Sequence, residues 1–209
     1  MSYGSPSTET RQDQPEARLR ALLRKAFLDV EKALADWDNA SEQGLQVLRA
    51  LTNAGDRLRD FSANRGHLGM LSRVPGAEDE LRTRLIMSME RLHRALHPQV
   101  AALATVCEKL GNIFDNTLQQ SLELQAECDP DSLWDSKYDG QPCIGEMLEW
   151  LEDCFIAAGR EHALRELLMR EVGSQNKGMH RALDLWESQI WLDDEQVRTR
   201  LDIVRIHGS

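Results

Sequence analysis

One helical periodicity holds its phase for eleven steps near the start of this chain, and it limits the available folds more than any other feature. Apolar or small residues recur at Leu19, Leu22, Ala26, Val30, Ala33, Trp37, Ala40, Gly44, Leu48, Leu51, Gly55 and Leu58. The mean step is about 3.55 residues, which keeps one face of an α-helix in register turn after turn. No proline falls between 16 and 74. The spacing predicts a helix over 16–63, roughly 70 Å long at the α-helical rise, with Gly44 and Gly55 as weak points. A second series begins at Leu81 and runs through Leu85, Met89, Leu92, Leu96, Val100, Leu103, Val106 and Leu110 to Ile113. Its phase is the same on both sides of Pro98, so a kink there is expected rather than a break.

Between the two series, Arg65–Gly76 carries three glycines and a proline, which mark a connection. After residue 126 comes an Asp-, Pro- and Gly-rich stretch. Pro142 is then placed to open a third helix from its first turn, and this helix is expected to fade near Val172. Shorter helices are expected at 177–191 and 194–206, the last capped by Asp193 with Gln196. No segment alternates with period two. The expected fold is all-α: a long antiparallel helical hairpin with a kinked second helix, plus three shorter C-terminal helices. The expected division is a disordered tail at 1–15, the hairpin at 16–126, an acidic loop at 127–141, and a C-terminal helical region at 142–207 packed on the hairpin as one structural unit. Three short helices cannot cover two seams of that length, so a groove should remain for another chain.

Charge is local. The net charge is −10, of which −8 lies in residues 127–153. That segment is either a solvated loop with a carboxylate-rich helix start or a docking patch for a basic partner. Basic residues elsewhere are scattered without interleaved aromatics, so no direct nucleic-acid binding is expected. No run of apolar residues is long enough for a bilayer, so no membrane association is expected. Cys107, Cys128, Cys143 and Cys154 form no CxxC pair and read as free thiols in a reducing compartment.

Catalytic signatures are missing. GxxxxGK[ST], GxGxxG and GxSxG do not occur. Glu90, His93 and His97 share one helix face and form a single E-x-x-H. A di-metal bundle needs a second such motif and two more carboxylates. A metal-binding bundle using these three residues is kept as an alternative. Otherwise neither enzyme activity nor a cofactor is expected.

The stretch from Pro142 to Val172 is the most informative. Two adjacent apolar stripes run along it: Ile144, Leu148, Leu151, Phe155, Ala158, and Met147, Trp150, Cys154, Ala157. This helix is either buried on two sides or packs one stripe and offers the other, with Trp150 as anchor. The candidate partner interface is Ile144, Met147, Leu148, Trp150, Leu151, Phe155 and Trp186.

The string Pro142-Cys143-Ile144-Gly145-Glu146-Met147-Leu148-Glu149-Trp150-Leu151-Glu152-Asp153 resembles the hallmark of the AIRIM family, P-S-[IV]-x-[DE]-M-L-E-W-L-x-D. AIRIM proteins are ribosome maturation factors that interact with AAA+ ATPases. Leu22, Lys25, Ala26, Phe27, Val30 and Glu31 fit its first helix, and Trp37 and Trp186 fit its other aromatic positions. Leu183, Trp186 and Gln189 are also similar to CINP, a small helical partner of AIRIM, so a CINP-like identity is the nearest alternative. The resemblance implies a non-catalytic adaptor that pairs with a CINP-like subunit and with AAA+ ATPases of the spermatogenesis-associated class. It implies indirect contact with pre-ribosomal particles, release of a shuttling factor in cytoplasmic large-subunit maturation, and a further role in replisome protein turnover on chromatin, hence cytoplasm and nucleus. One departure stands out. The family is strongly basic after the MLEWL block, whereas here Arg160, Arg165 and Arg170 alternate with Glu161, Glu166 and Glu171.

Overall fold

Five α-helices, with no strand among the described residues, form a computed structural model of the chain. These residues are 15–64, 69, 74–126, 142–174, 178–192 and 194–206. The expected N-terminal tail, the acidic loop and the Asp193 cap lie outside them, except that Pro15 is helical. The helices are α1 (Pro15–Ala63), α2 (Ala77–Gln125), α3 (Ile144–Ser174), α4 (Met179–Ser188) and α5 (Asp194–Ile206). The all-α fold read from the sequence is what the chain adopts. No helix among the described residues is long and apolar enough to cross a membrane.

Helix ends follow local chemistry. Proline at the first position of α1 costs no hydrogen bond, and Glu16 braces Arg20 one turn on at 3.0 Å. At the other end, the Asn64 backbone N–H and side-chain amide both donate to the Asp60 carbonyl. α2 starts after Gly76 at φ 79 and places Glu78, Asp79 and Glu80 in its first turn, where the helix dipole favours carboxylates. It runs through Pro98 without a break, with that proline on its exposed side.

Several boundaries shift from the expectation, and two of the shifts have a local chemical cause. α3 begins at Ile144 rather than Pro142, because Cys143 acts as its cap. The Glu146 N–H donates to Cys143 Sγ at 3.3 Å, and Glu146 Oε2 accepts from the Cys143 N–H at 2.8 Å. This reciprocal pair is a capping box with sulfur in the place of a hydroxyl. α4 ends at Ser188 rather than 191, because Gln189 turns into the left-handed region at φ 41, ψ 58.

The chain forms two compact units. Unit 1 is Met1–Leu34, Glu108–Ala157 and Leu192–Ser209; unit 2 is Ala35–Cys107 and Ala158–Trp191. In unit 1 the core draws on Leu19, Leu23 and Phe27 of α1, Leu110 of α2, Ile144 and Leu151 of α3, and Val197 and Val204 of α5. Thr117, buried there, donates its hydroxyl to the Ile113 carbonyl and so carries no orphaned polar group.

In unit 2, α4 lies antiparallel along α1. Trp186 sits over Gly44 and Met179 over Gly55, while Glu187 pairs with Arg49 and His180 with Asp56. A Cβ at Gly44 would run into Trp186 Cζ2, and one at Gly55 into Met179 Cε. The two glycines expected as weak points are thus seats for another helix, and α1 passes through both unbroken. From Ala77 to Ala95 no side chain of α2 is buried; burial starts at Leu96.

Candidate partner surfaces and a buried charge cluster

The seven residues marked as an interface divide between the units. Ile144, Met147, Leu148 and Leu151 are buried in unit 1. Trp150 and Phe155 are half-buried in the same unit. The Arg200 guanidinium of α5 lies 5.6 Å from the Trp150 ring centroid, and its Nη1 donates to Asp153 Oδ2 at 2.9 Å. Phe155 stacks on Phe114 of α2 with centroids 6.3 Å apart and planes 12° apart. Both apolar stripes of α3 are therefore taken up largely by the chain's own packing, with Cys154 and Ala158 also buried.

Trp186 belongs to unit 2 and is buried. Its indole N–H donates to the Ser41 carbonyl at 3.0 Å, as a buried Trp requires.

A buried ion pair lies beneath Trp186. The side chains of Glu161 and Arg165 are both 0% exposed, with Arg165 Nε 3.2 Å from Glu161 Oε1. Arg165 Nη1 donates to Ser41 Oγ at 2.7 Å. The guanidinium is sandwiched between the rings of Trp186, at 4.6 Å, and Trp37, at 5.2 Å. A flat, weakly hydrated cation suits such a slot. Burial pulls the Arg165 pKa below its ordinary value, and the charges of Glu161 and Asp38 offset this in part. The second carboxylate oxygen of Glu161 accepts the Trp191 backbone N–H at 3.1 Å, and Gln189 reaches Ser41 Oγ at 3.4 Å. The cluster thus ties α1, α3 and the end of α4 together through hydrogen bonds.

From sequence, Glu161 and Arg165 stood only as members of an alternation of charges, and phase was the signal not used. Leu151, Ala158, Glu161, Arg165, Leu168 and Val172 continue one 3.5-residue stripe down α3, and all six are buried. Of the neighbouring arginines, Arg160 is exposed beside Trp191, and Arg170 is exposed and paired with Glu166 at 3.4 Å.

The metal alternative does not assemble. His93 Nε2 lies 3.2 Å from the Met169 carbonyl and its ring meets His97 edge-on at 5.2 Å, while Glu90 turns to Arg94. Among the described residues no group of three His, Cys, Asp or Glu is placed to hold a metal ion. Glu90, His93 and Arg94 instead line a groove of about 300 Å³ with Leu51, Leu58, Ile86, Met89 and Val172. Ile86 and Met87 stand exposed on the uncovered part of α2.

Cys143 and Cys154 are buried, and no disulfide joins the cysteines among the described residues. Burial pushes the Cys154 thiol up to about 11, against the pull of Arg200 and with a small push from Asp153. It is therefore not a reactive thiol at neutral pH.

Comparison with known proteins places the sequence in a family. The family described as "Ribosome biogenesis protein C1orf109-like" matches residues 17–204. A Xenopus tropicalis protein named "AFG2-interacting ribosome maturation factor" is 24% identical over 173 residues, covering 80% of this chain and 81% of its own. A Mus musculus protein of the same name is 23% identical over 161 residues, covering 77% and 74%. The match reaches into all five helices and includes the capped MLEWL segment that carries the AIRIM resemblance. The chain therefore belongs to the C1orf109-like family of ribosome biogenesis proteins.

Proposed function

We propose that this chain is a non-catalytic adaptor subunit in maturation of the large ribosomal subunit. It attaches to an AAA+ ATPase of the AFG2 type, pairs with a CINP-like helical subunit, and reaches pre-ribosomal particles through that assembly in the cytoplasm. The observation that carries this reading is the family match over residues 17–204, together with relatives named for interaction with AFG2. Two physical features support it. The buried charges of unit 2 are committed to structural bonds rather than to a cleft. The first part of α2 keeps an apolar series only half-covered, with Ile86 and Met87 exposed, as expected of a helix that meets another chain. ATP hydrolysis belongs to the ATPase.

Affinity purification of the tagged chain from native lysate at moderate salt tests the reading. Co-purification of an AFG2-type ATPase and a CINP-like protein in stoichiometric amounts is expected. Recovery of the chain alone would overturn it.

A further inference from the structure

After α4 the chain exposes two large apolar side chains in succession, Ile190 at 53% and Trp191 at 47%. Single exposed apolar residues are ordinary on soluble proteins. This pair differs because its backbone is fixed from beneath. Gln189 is held in the left-handed region, and its side chain reaches Ser41 Oγ. The Trp191 N–H is bonded to Glu161, a fully buried carboxylate that Arg165 holds in place. The fold thus uses its deepest charges to position an exposed tryptophan, so little freedom is left to lose when a partner closes over it.

The chemistry of that partner follows from Arg160. Its guanidinium lies 5.3 Å from the Trp191 ring centroid, and among the described residues it carries no ion pair. A carboxylate at the lip of an apolar groove would pair with Arg160 while the groove floor takes Trp191 and Ile190. Trp and Arg are also the side chains most enriched where a few residues dominate binding.

We propose that Ile190, Trp191 and Arg160 form a preorganised anchor that docks into an apolar groove rimmed by carboxylates on the AAA+ ATPase. This rests on the functional reading above and names the surface through which it is realised. Trp191→Ala keeps the backbone N–H that Glu161 accepts, so it removes the anchor and spares its support.

The test measures affinity between the purified full-length chain and a purified AFG2-type ATPase, with thermal melts of each variant alongside. Trp191→Ala and Arg160→Glu should each weaken binding about tenfold or more, while Leu28→Ser, at an exposed position of α1, leaves it unchanged. If the unaltered chain binds and Trp191→Ala binds equally well, the anchor is overturned while the adaptor reading stands. If Trp191→Ala proves to melt early, Arg160→Glu decides, because that side chain is exposed and outside the buried core; unchanged binding overturns the proposal. Loss in Leu28→Ser with retention in both other variants moves the surface to α1 and also overturns it. If the unaltered chain shows no binding, the adaptor reading fails and the anchor with it.

Discussion

Arg165 lies with its guanidinium 4.6 Å from the ring centroid of Trp186, and both side chains are buried. The cation is held by a face, an edge-bonded carboxylate and a hydroxyl at once, so it cannot be removed without stranding the others. Arg165→Met leaves Glu161 as a buried carboxylate with only the Trp191 N–H to answer it. A loss of about 3–5 kcal/mol in urea unfolding is expected. Arg165→Lys should also lose much of its stability, since an ammonium cannot fill the planar slot. Glu161→Gln combined with Arg165→Met should cost less than the sum of the singles.

Three glycine-to-alanine changes should differ in sign. At Gly159 of α3 a Cβ meets nothing within 4 Å, so alanine should stabilise by up to about 1 kcal/mol through helix propensity. At Gly55 the obstacle is the flexible end of Met179, and a near-neutral outcome is expected. At Gly44 the obstacle is the rigid Trp186 ring, so alanine should destabilise by about 1–3 kcal/mol. Chemical denaturation of the three variants checks the order.

Cys143→Ser should strengthen the start of α3. Sulfur accepts hydrogen bonds weakly, and serine is among the best N-cap residues. A gain of about 0.5–1 kcal/mol is expected, and Glu146→Ala should cancel most of it by removing the other half of the box. The midpoint of urea unfolding reads both.

Cys154 links stability to alkaline pH. Its folded-state pKa is raised from an ordinary 9.0 to about 11 by burial. Between those values the folded state holds a proton that the unfolded state has released, so stability is full below pH 9 and declines as pH rises toward 11. Subtracting the profile of Cys154→Ala removes the shared titration of lysine and tyrosine. The difference should be flat at neutral pH and fall across that window. A thiol reagent at pH 7.5 should modify the native chain at Cys154 only on the timescale of unfolding.

The long elements were legible because a helix that keeps its phase for eleven steps has no rival explanation, and α1 came out within one residue at its start. What escaped the sequence were places where one side chain changes the backbone. Cys143 moved the start of α3 by two residues through a bond to its sulfur. Gln189 ended α4 three residues early, which is why Ile190 and Trp191 stand outside a helix. The MLEWL block was legible as a family mark, while its role as packing in unit 1 depends on contacts with other helices, such as Arg200 of α5 against Trp150. Glu161 and Arg165 were noted only as part of a charge alternation; along a stripe that is otherwise apolar, phase decides which side chains face inward.

The bare stretch of α2 has its own consequence for motion. From Ala77 to Ala95 no buried side chain secures the helix, so opening there forfeits little packing, and its amides should exchange with solvent well before those beyond Leu96. A chain bound along that face would first be seen as slowed exchange over those five turns.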